Sequence, residues 1–513
     1  QNWNKLLMKQ LFTILCIALF IFFSCTRERQ QQPNIIYILA DDLGYGELGV
    51  YGQEIIETPH IDALAKNGML FTQHYSGSPV CAPSRSVLLT GQHTGHTHIR
   101  GNDEWEERGD VWGYNAVFMD PDLEGQRPLL DSIETIAEVL QNSGYKTAFI
   151  GKWGLGAPNT ESTANKQGFD YFFGYNCQRQ AHTLYPLHLW ENETKVLLNN
   201  RSVPPHSNLA EGADPNDPDS YAGFTLNNYA PDLMHKKAVD FIDANKDKPF
   251  FLLYASPLPH VPLQAPEKWV NYYKAKLGEE EPYTGKSYFP NQTPHATYAA
   301  MIATLDEQVG DLVATLVKNG IWENTLIIFT SDNGPTYSGG ADTKFFNSAK
   351  PFKPEYGWAK GFLNEGGIRV PMIASWECHI QYGSKTDHLS GFQDVMPTLY
   401  DLIGANASTM TDGVSFLPTL LGKNQRETHE YLYWEIPEYG GQQAVRIGNY
   451  KAIRKNIFEG NLEVELYDLS SDIQESQNLA DQYPEIIKQV EGILEREHVS
   501  SEIQRFRYNI LDE

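Results

Sequence analysis

The chain is punctuated by short apolar runs that stop abruptly at charged or polar residues, and this restricts its fold more than any other feature. Asn34 to Ala40 runs straight into Asp41-Asp42, and Lys146 to Ile150 into Gly151-Lys152. Pro249 to Tyr254 leads to His260, and Thr325 to Thr330 to Ser331-Asp332-Asn333. Val370 to Trp376 is a fifth run, with the segment from Lys360 just before it. Short apolar runs without alternation are predicted to be strands covered on both faces. Between them, amphipathic helices are predicted over His60–Gly68, Ser132–Ser143, Tyr229–Lys246 and Ala299–Asn319. That alternation gives an α/β fold, a large mixed, mostly parallel sheet flanked by helices. Ligands of such sheets bind beyond the carboxyl ends of the strands, where four of these runs place charged or metal-binding residues.

Past about residue 425 the texture changes. Strand-like runs at Glu430–Glu435, Gln443–Ile447, Lys451–Arg454 and Val464–Tyr467 follow one another and are closed by a helix over Tyr483–Glu497. This is the pattern of a small antiparallel sheet with a helix. The expected division is residues 1–32 as leader and linker, 33–424 as the catalytic α/β domain, and 425–513 as a C-terminal α+β unit. Asn199–Asp219, rich in Pro, Asn and Asp, is expected to be a long surface loop.

The leader is an address. Leu11–Phe23 is a 13-residue apolar run behind Lys5 and Lys9, too short to span a bilayer but suited to a signal peptide. It ends at Cys25 and resembles a bacterial lipoprotein signal, with Cys25 lipidated; an ordinary cleaved secretory signal is the alternative. Either places the folded part outside the cytoplasm, in the periplasm or at the cell surface. Cys81, Cys177 and Cys378 remain, an odd number with no zinc spacing, so a disulfide framework is not expected. The net charge of −25 argues against a nucleic-acid partner.

Asp41-Asp42 and Asp332-Asn333 offer only oxygen ligands, which suit a hard ion such as Ca²⁺ or Mg²⁺ rather than zinc. Gly44-Tyr45-Gly46-Glu47-Leu48-Gly49 has dinucleotide-loop spacing, yet a pyrophosphate there would lie beside two carboxylates. The segment Cys81-Ala-Pro-Ser-Arg-Ser-Val-Leu-Leu-Thr-Gly91 decides the reading. Pro83 suits a first helical turn and Gly91 a helix end, so Cys81 sits at a helix N-terminus, where free N–H groups favour an anion.

Here the chain resembles the sulfatases of the alkaline-phosphatase superfamily, whose C-x-P-S-R-x-x-x-L-T-G signature it matches in full. The resemblance extends to Asp41-Asp42, Gly151-Lys152-Trp153, Ser331-Asp332-Asn333-Gly334, and Lys360 followed by Glu365–Pro371. It implies that Cys81 is oxidised to formylglycine by a formylglycine-generating or anaerobic sulfatase-maturating enzyme. A hydroxyl of the hydrated aldehyde would attack the sulfur of a bound ester. Asp41, Asp42, Asp332 and Asn333 would hold one Ca²⁺ with the residue-81 oxygen, Arg85 would support that group, Lys152 and Lys360 would bind sulfate oxygens, and His260 would protonate the leaving alcohol.

The sequence departs from the family at Gly151-Lys-Trp-Gly-Leu-Gly156, because the family has His where Gly154 stands. His96, with His93 as second choice, is expected to replace it. Gln178–Pro186 resembles a segment of bacterial exo-acting carbohydrate sulfatases. His182 is therefore expected to bond a sugar hydroxyl, with Arg100 or Asn102 at the pocket edge. The expected substrate is a sulfated saccharide, O-sulfated galactose or N-acetylgalactosamine of host glycans. The alternatives are a phosphodiesterase or phosphonate monoester hydrolase of the same superfamily, and an inactive sugar-binding lipoprotein.

Overall fold

The computed structural model describes residues 32–405 and 411–512, so the leader and Cys25 lie outside the described residues. β1 (Asn34–Ala40) is buried along its whole length, which requires neighbours on both edges and cover on both faces. It pairs in parallel with β7 (Phe250–Ala255) and β8 (Thr325–Ser331). Beyond β7 lie β3 (Lys146–Lys152) and β4 (Tyr171–Tyr175), also parallel. The carboxyl ends of these strands share one edge of the molecule.

The fifth run, β9 (Arg369–Ser375), lies antiparallel to β8, so it is its beginning that reaches that edge. This reversal brings the preceding Lys360 there. Strands not expected from the sequence complete the sheet. β2 (Met69–Tyr75) pairs antiparallel with β9 and carries β10 (Ser384–Thr386) and β11 (Ser390–Gly391). On the other flank, the hairpin of β5 (His188–Glu191) and β6 (Thr194–Leu197) adds to β4. The result is the expected mixed, mostly parallel sheet.

Alternate residues of each strand feed opposite cores, as the period of two requires. Ile36, Ile38, Ile150 and Leu252 pack with the helices Ala230–Asn245 and Pro294–Lys318. Ile35, Tyr37, Phe149 and Leu253 pack with Cys81–Thr90, Ile136–Asn142 and Val395–Ile403. Among the described residues no helix is long and apolar enough to cross a membrane.

A second, antiparallel sheet follows: β12 (Leu432–Ile436), β13 (Gln442–Ile447), β14 (Tyr450–Arg454) and β15 (Val464–Asp468). Trp434, Ile436, Ala444 and Ile453 on one face pack against Tyr75, Val80, Leu363 and Ile368. Tyr433, Val445 and Leu466 on the other pack against the helix Pro484–Glu497. Hydrogen bonds tie the second sheet to the segment after Lys360. Gln442 Oε1 accepts from Leu363 N at 3.1 Å, Gln442 Nε2 donates to Gly361 O at 2.9 Å, and Glu475 Oε2 accepts from Glu365 N at 2.9 Å.

Candidate active site

The site is assembled from strand ends and one helix start. β1 ends at Asp41 and Asp42, the latter with a left-handed φ of 64°, a conformation that aspartate tolerates better than most residues and that recurs at functional sites. β8 ends at Asp332 and Asn333; Asp332 Oδ1 accepts from Asp42 N at 3.2 Å, and Asn333 Nδ2 donates to Asp42 Oδ1 at 2.8 Å. The helix Cys81–Thr90 begins on Cys81 itself and ends at Gly91, which takes φ +68°. Asn102 Oδ1 accepts from the free Ala82 N–H of its first turn at 3.1 Å.

Cys81 Sγ lies 3.4 Å from Asp41 Oδ1 and within 3.7 and 3.8 Å of Lys152 and Lys360 Nζ. Arg85, one turn on, donates through Nε and Nη2 to Asp332 Oδ2 at 3.2 and 2.9 Å, and Nη2 lies 3.4 Å from Asp41. Its Nη1 donates to Lys152 O. Lys152 Nζ reaches Asp41 at 2.6 Å, Lys360 Nζ reaches Asp42 at 2.6 Å, and His260 Nε2 lies 3.6 Å from Asp42 Oδ2. His260 Nδ1 bonds Val261 O, which leaves Nε2 turned to the cluster.

The electrostatics suit a divalent cation. Three carboxylates face three basic side chains, all buried but Lys360, which is part-buried. Burial raises Asp42 against the pull of Lys360, and burial with Asp41 raises Asp332 to about 6, so the three acids do not ionise comfortably together. Of the three, only Asp41 is held well below the carboxylate range, its burial outweighed by Lys152 and Arg85. Asn333 Oδ1 is buried with no hydrogen-bond partner among the described residues. An orphaned carbonyl oxygen beside three carboxylates is the donor set of a hard divalent ion, and such an ion would leave the cluster net positive, as an anionic ligand requires. Asp41, Asp42, Cys81 and His260 already present ligand atoms within 4.8 Å of one another.

His182 is brought to the same place. Its ring stacks on His260 with centroids 5.5 Å apart, and its Nδ1 lies 3.2 Å from His206 Nε2. The other expected residues are spent elsewhere. Arg100 is buried, its guanidinium bonded to Glu435 at 2.7 Å and to the carbonyls of Thr97 and Val499. Asn102 caps the Cys81 helix and does not offer its carbonyl to a ligand.

His96 and His93 are not partners of Cys81. They stack on each other at 4.1 Å and bind Asp412 and Glu497, His96 Nδ1 to Asp412 at 2.9 Å and His93 Nε2 to Glu497 at 3.2 Å. His93 Nδ1 accepts from Gly95 N, so its proton is on Nε2, facing the carboxylate. These bonds form a seam to the C-terminal helix. The bond to Asp412 raises His96 above the imidazole range, against burial and Arg100, and the bond to His93 holds Glu497 well below the carboxylate range. A raised histidine stabilises fully below its unfolded value near 6.5 and loses that contribution as pH climbs through its folded value. A lowered glutamate stabilises above about 4.3 and loses that only in stronger acid. The seam is therefore tightest between about pH 4.5 and 6.5. Scanning fluorimetry should show the melting midpoint falling by about 1–3 °C from pH 6 to 8.5, with His96→Ala flattening that limb.

Gln178 takes the space that a side chain at Gly154 would fill. Trp153 N and Gly154 N donate to Tyr175 O and Asn176 O, which prolongs the β3–β4 pairing. Gly154 has φ +74°, and a Cβ there would lie 2.4 Å from Gln178 Cγ and Nε2. Gln178 is 5% exposed, and among the described residues its Nε2 has no hydrogen-bond partner. In the sequence Gln178 opens the segment Gln178–Pro186, but only the glycine opposite it marks where its side chain goes.

The model of the family "Sulfatase" matches residues 33–405, and that of "N-sulphoglucosamine sulphohydrolase, C-terminal" matches residues 354–500. Arylsulfatase A of Homo sapiens is 33% identical, over 82% of this chain and 74% of its own length. The N-acetylgalactosamine-6-O-sulfatase of Bacteroides thetaiotaomicron is 28% identical over 91% of this chain and 92% of its own. The crystal structure of Ps i-CgsB is similar at a TM-score of 0.71 and 27% identity, covering 91% of this chain and 94% of that one.

Proposed function

The chain belongs to the sulfatase family and hydrolyses sulfate esters, and from that premise we propose that it removes O-sulfate from galactose or N-acetylgalactosamine units of host glycans, using formylglycine made from Cys81 and one Ca²⁺. The observation that carries this is the placement of Cys81 Sγ at a helix start, within 3.7 and 3.8 Å of two lysine ammonium groups and 3.4 Å from a buried carboxylate. Formylglycine, when formed, supplies the hydroxyl that attacks sulfur, and Ca²⁺, when bound by Asp41, Asp42, Asp332 and Asn333, supplies charge that polarises the oxygens around it.

The chain's own residues do the rest. Arg85 fixes Asp332 and Asp41 by the bonds above, which sets the acidic pairs for a shared ligand. Lys152 and Lys360 face the sulfate and stabilise the charge that grows as the S–O bond breaks. In the free protein, burial and both lysines hold His260 neutral; the anionic ester favours its protonation at Nε2, and that proton passes to the leaving oxygen. Gln178 donates Nε2–H to a sulfate oxygen, the acceptor its amide lacks. Gln178→Met keeps the shape and removes the donors. It should lower kcat/KM for any sulfate ester by about 10- to 100-fold with an unchanged or higher melting midpoint, since an unpaired buried amide costs about 1–3 kcal/mol.

A formylglycine-generating or anaerobic sulfatase-maturating enzyme is the proposed maturation partner. Export, with a lipid anchor at Cys25, is the proposed localisation, and it suits an enzyme acting on glycans outside the cytoplasm. The test is a panel of singly sulfated galactose, N-acetylgalactosamine and glucosamine isomers given to fully converted protein beside a phosphate diester and a phosphonate monoester. One galactose-type isomer should exceed the others at least tenfold. Faster turnover of a phosphorus ester than of every sulfate would return the alternative reading.

A further inference from the structure

The loop Asn199–Asp219, unremarkable in sequence, delivers His206 to the rim of the site with a left-handed φ of 66°. A second loop delivers Tyr288, also left-handed at 60°. Such backbone is unfavourable for bulky residues and persists where surrounding contacts impose it. The two meet in one hydrogen bond, in which Tyr288 N donates to His206 Nδ1 at 3.0 Å. A backbone amide can only donate, so His206 Nδ1 carries no proton. Neutral His206 is therefore protonated on Nε2, and that Nε2–H points at His182 Nδ1, 3.2 Å away.

The assignment propagates. His182 accepts at Nδ1, so its single proton sits on Nε2. Partial cover and Arg179 lower His206, which stands exposed, and burial with His260 and Lys152 lowers His182. A cationic His182 would also turn an N–H against that of His206. The ring is held in orientation as well: it stacks on His260, meets His206 edge-on at 5.3 Å, and leans on the Tyr288 ring at 5.0 Å. Among the described residues His182 Nε2 has no partner.

We propose that His206, locked by the Tyr288 amide, is a positioning residue that fixes His182 as an Nε2–H donor and so makes it the specificity-determining contact for a hydroxyl oxygen of the sugar beside the sulfated carbon. This rests on the reading of the chain as a carbohydrate sulfatase. His182 is one ring stack from His260, which itself reaches Asp42, so the donor stands about one sugar ring from the bond that breaks. A donor without a protein acceptor discriminates strongly against a ligand that lacks the matching oxygen.

The experiment compares His206→Leu and His206→Gln with the unsubstituted protein, all fully converted. The substrates are the best saccharide of the sulfated galactose and N-acetylgalactosamine panel and 4-nitrophenyl sulfate, which has no sugar hydroxyl. His206→Leu should lower kcat/KM for the saccharide at least tenfold more than for the aryl sulfate, chiefly through KM. Glutamine, which can accept from Tyr288 and donate to His182, should recover most of that loss. Nitrogen-15 spectra of labelled imidazoles should show His182 protonated at Nε2 only, and a mixture of tautomers in His206→Leu. Equal losses on both substrates, or His182 protonated at Nδ1 in the unsubstituted protein, would overturn the proposal. If no sulfate ester is turned over, the functional reading fails while the spectra still decide the relay.

Discussion

Cys81→Ala should abolish sulfate-ester hydrolysis, with kcat/KM down by at least about 10⁴-fold, while the melting midpoint stays within a degree or two. Alanine keeps the Cβ that packs at the helix start and gives up only the weak contacts of Sγ with Asp41, Lys152 and Lys360 at 3.4, 3.7 and 3.8 Å. The unconverted protein should be equally inactive. Burial and the neighbouring Asp41 push the Cys81 thiol well above its ordinary range in spite of two lysines, and a thiol held protonated is a poor nucleophile. Activity across preparations should therefore rise in proportion to the converted fraction, read by mass spectrometry of the peptide that contains residue 81. Turnover above about 1% in Cys81→Ala would remove the nucleophile from residue 81 altogether.

Dialysis against a chelator should cost about as much in rate as it does in fold security. Asp42 and Asp332 are buried acids with raised affinity for protons, and a divalent ion would offset their charge. We expect kcat/KM to fall by about 10²–10³-fold. A ligand present at a hundred times its dissociation constant stabilises by about 2.7 kcal/mol, so the melting midpoint should drop by several degrees. Ca²⁺ or Mg²⁺ should restore both, and Zn²⁺ should not, because the donors are oxygens. Undiminished activity and melting in chelator would show that the acidic pairs hold no ion.

The central strands were legible because each is buried on both faces and so reads as an unbroken apolar run. β2 was not, since its MLFTQHY pattern is half polar and its burial alternates. Helix starts slipped where capping decided them. Thr135 and Glu138 form a capping box that begins the helix at Ile136 rather than Ser132, and Pro294 at the first position starts the long helix five residues before Ala299. At the site, strand direction carries the residues at the strand ends to one edge, and the helix Cys81–Thr90 brings Cys81 and Arg85 to them. His96 and Arg100 bond to other partners and Asn102 caps the Cys81 helix, because proximity in sequence to the signature helix does not say which way a loop turns. Their partners, Asp412, Glu435 and the Ala82 amide, are fixed by tertiary packing. Gln178 and His206 lie in segments the sequence singled out, but their places did not show, the first standing in a gap left by another residue, the second arriving from an irregular loop.

Gln442 and Glu475, by gripping the backbone from Gly361 to Glu365, make the last eighty or so residues the anchorage of a lysine that belongs to the other sheet. A truncation near residue 425 would not yield a minimal enzyme. It would bare the apolar patch around Tyr75, Val80 and Leu363 and cast the ammonium of Lys360 adrift. Engineering of this chain should treat its two sheets as one indivisible machine part, with the smaller serving as the clamp.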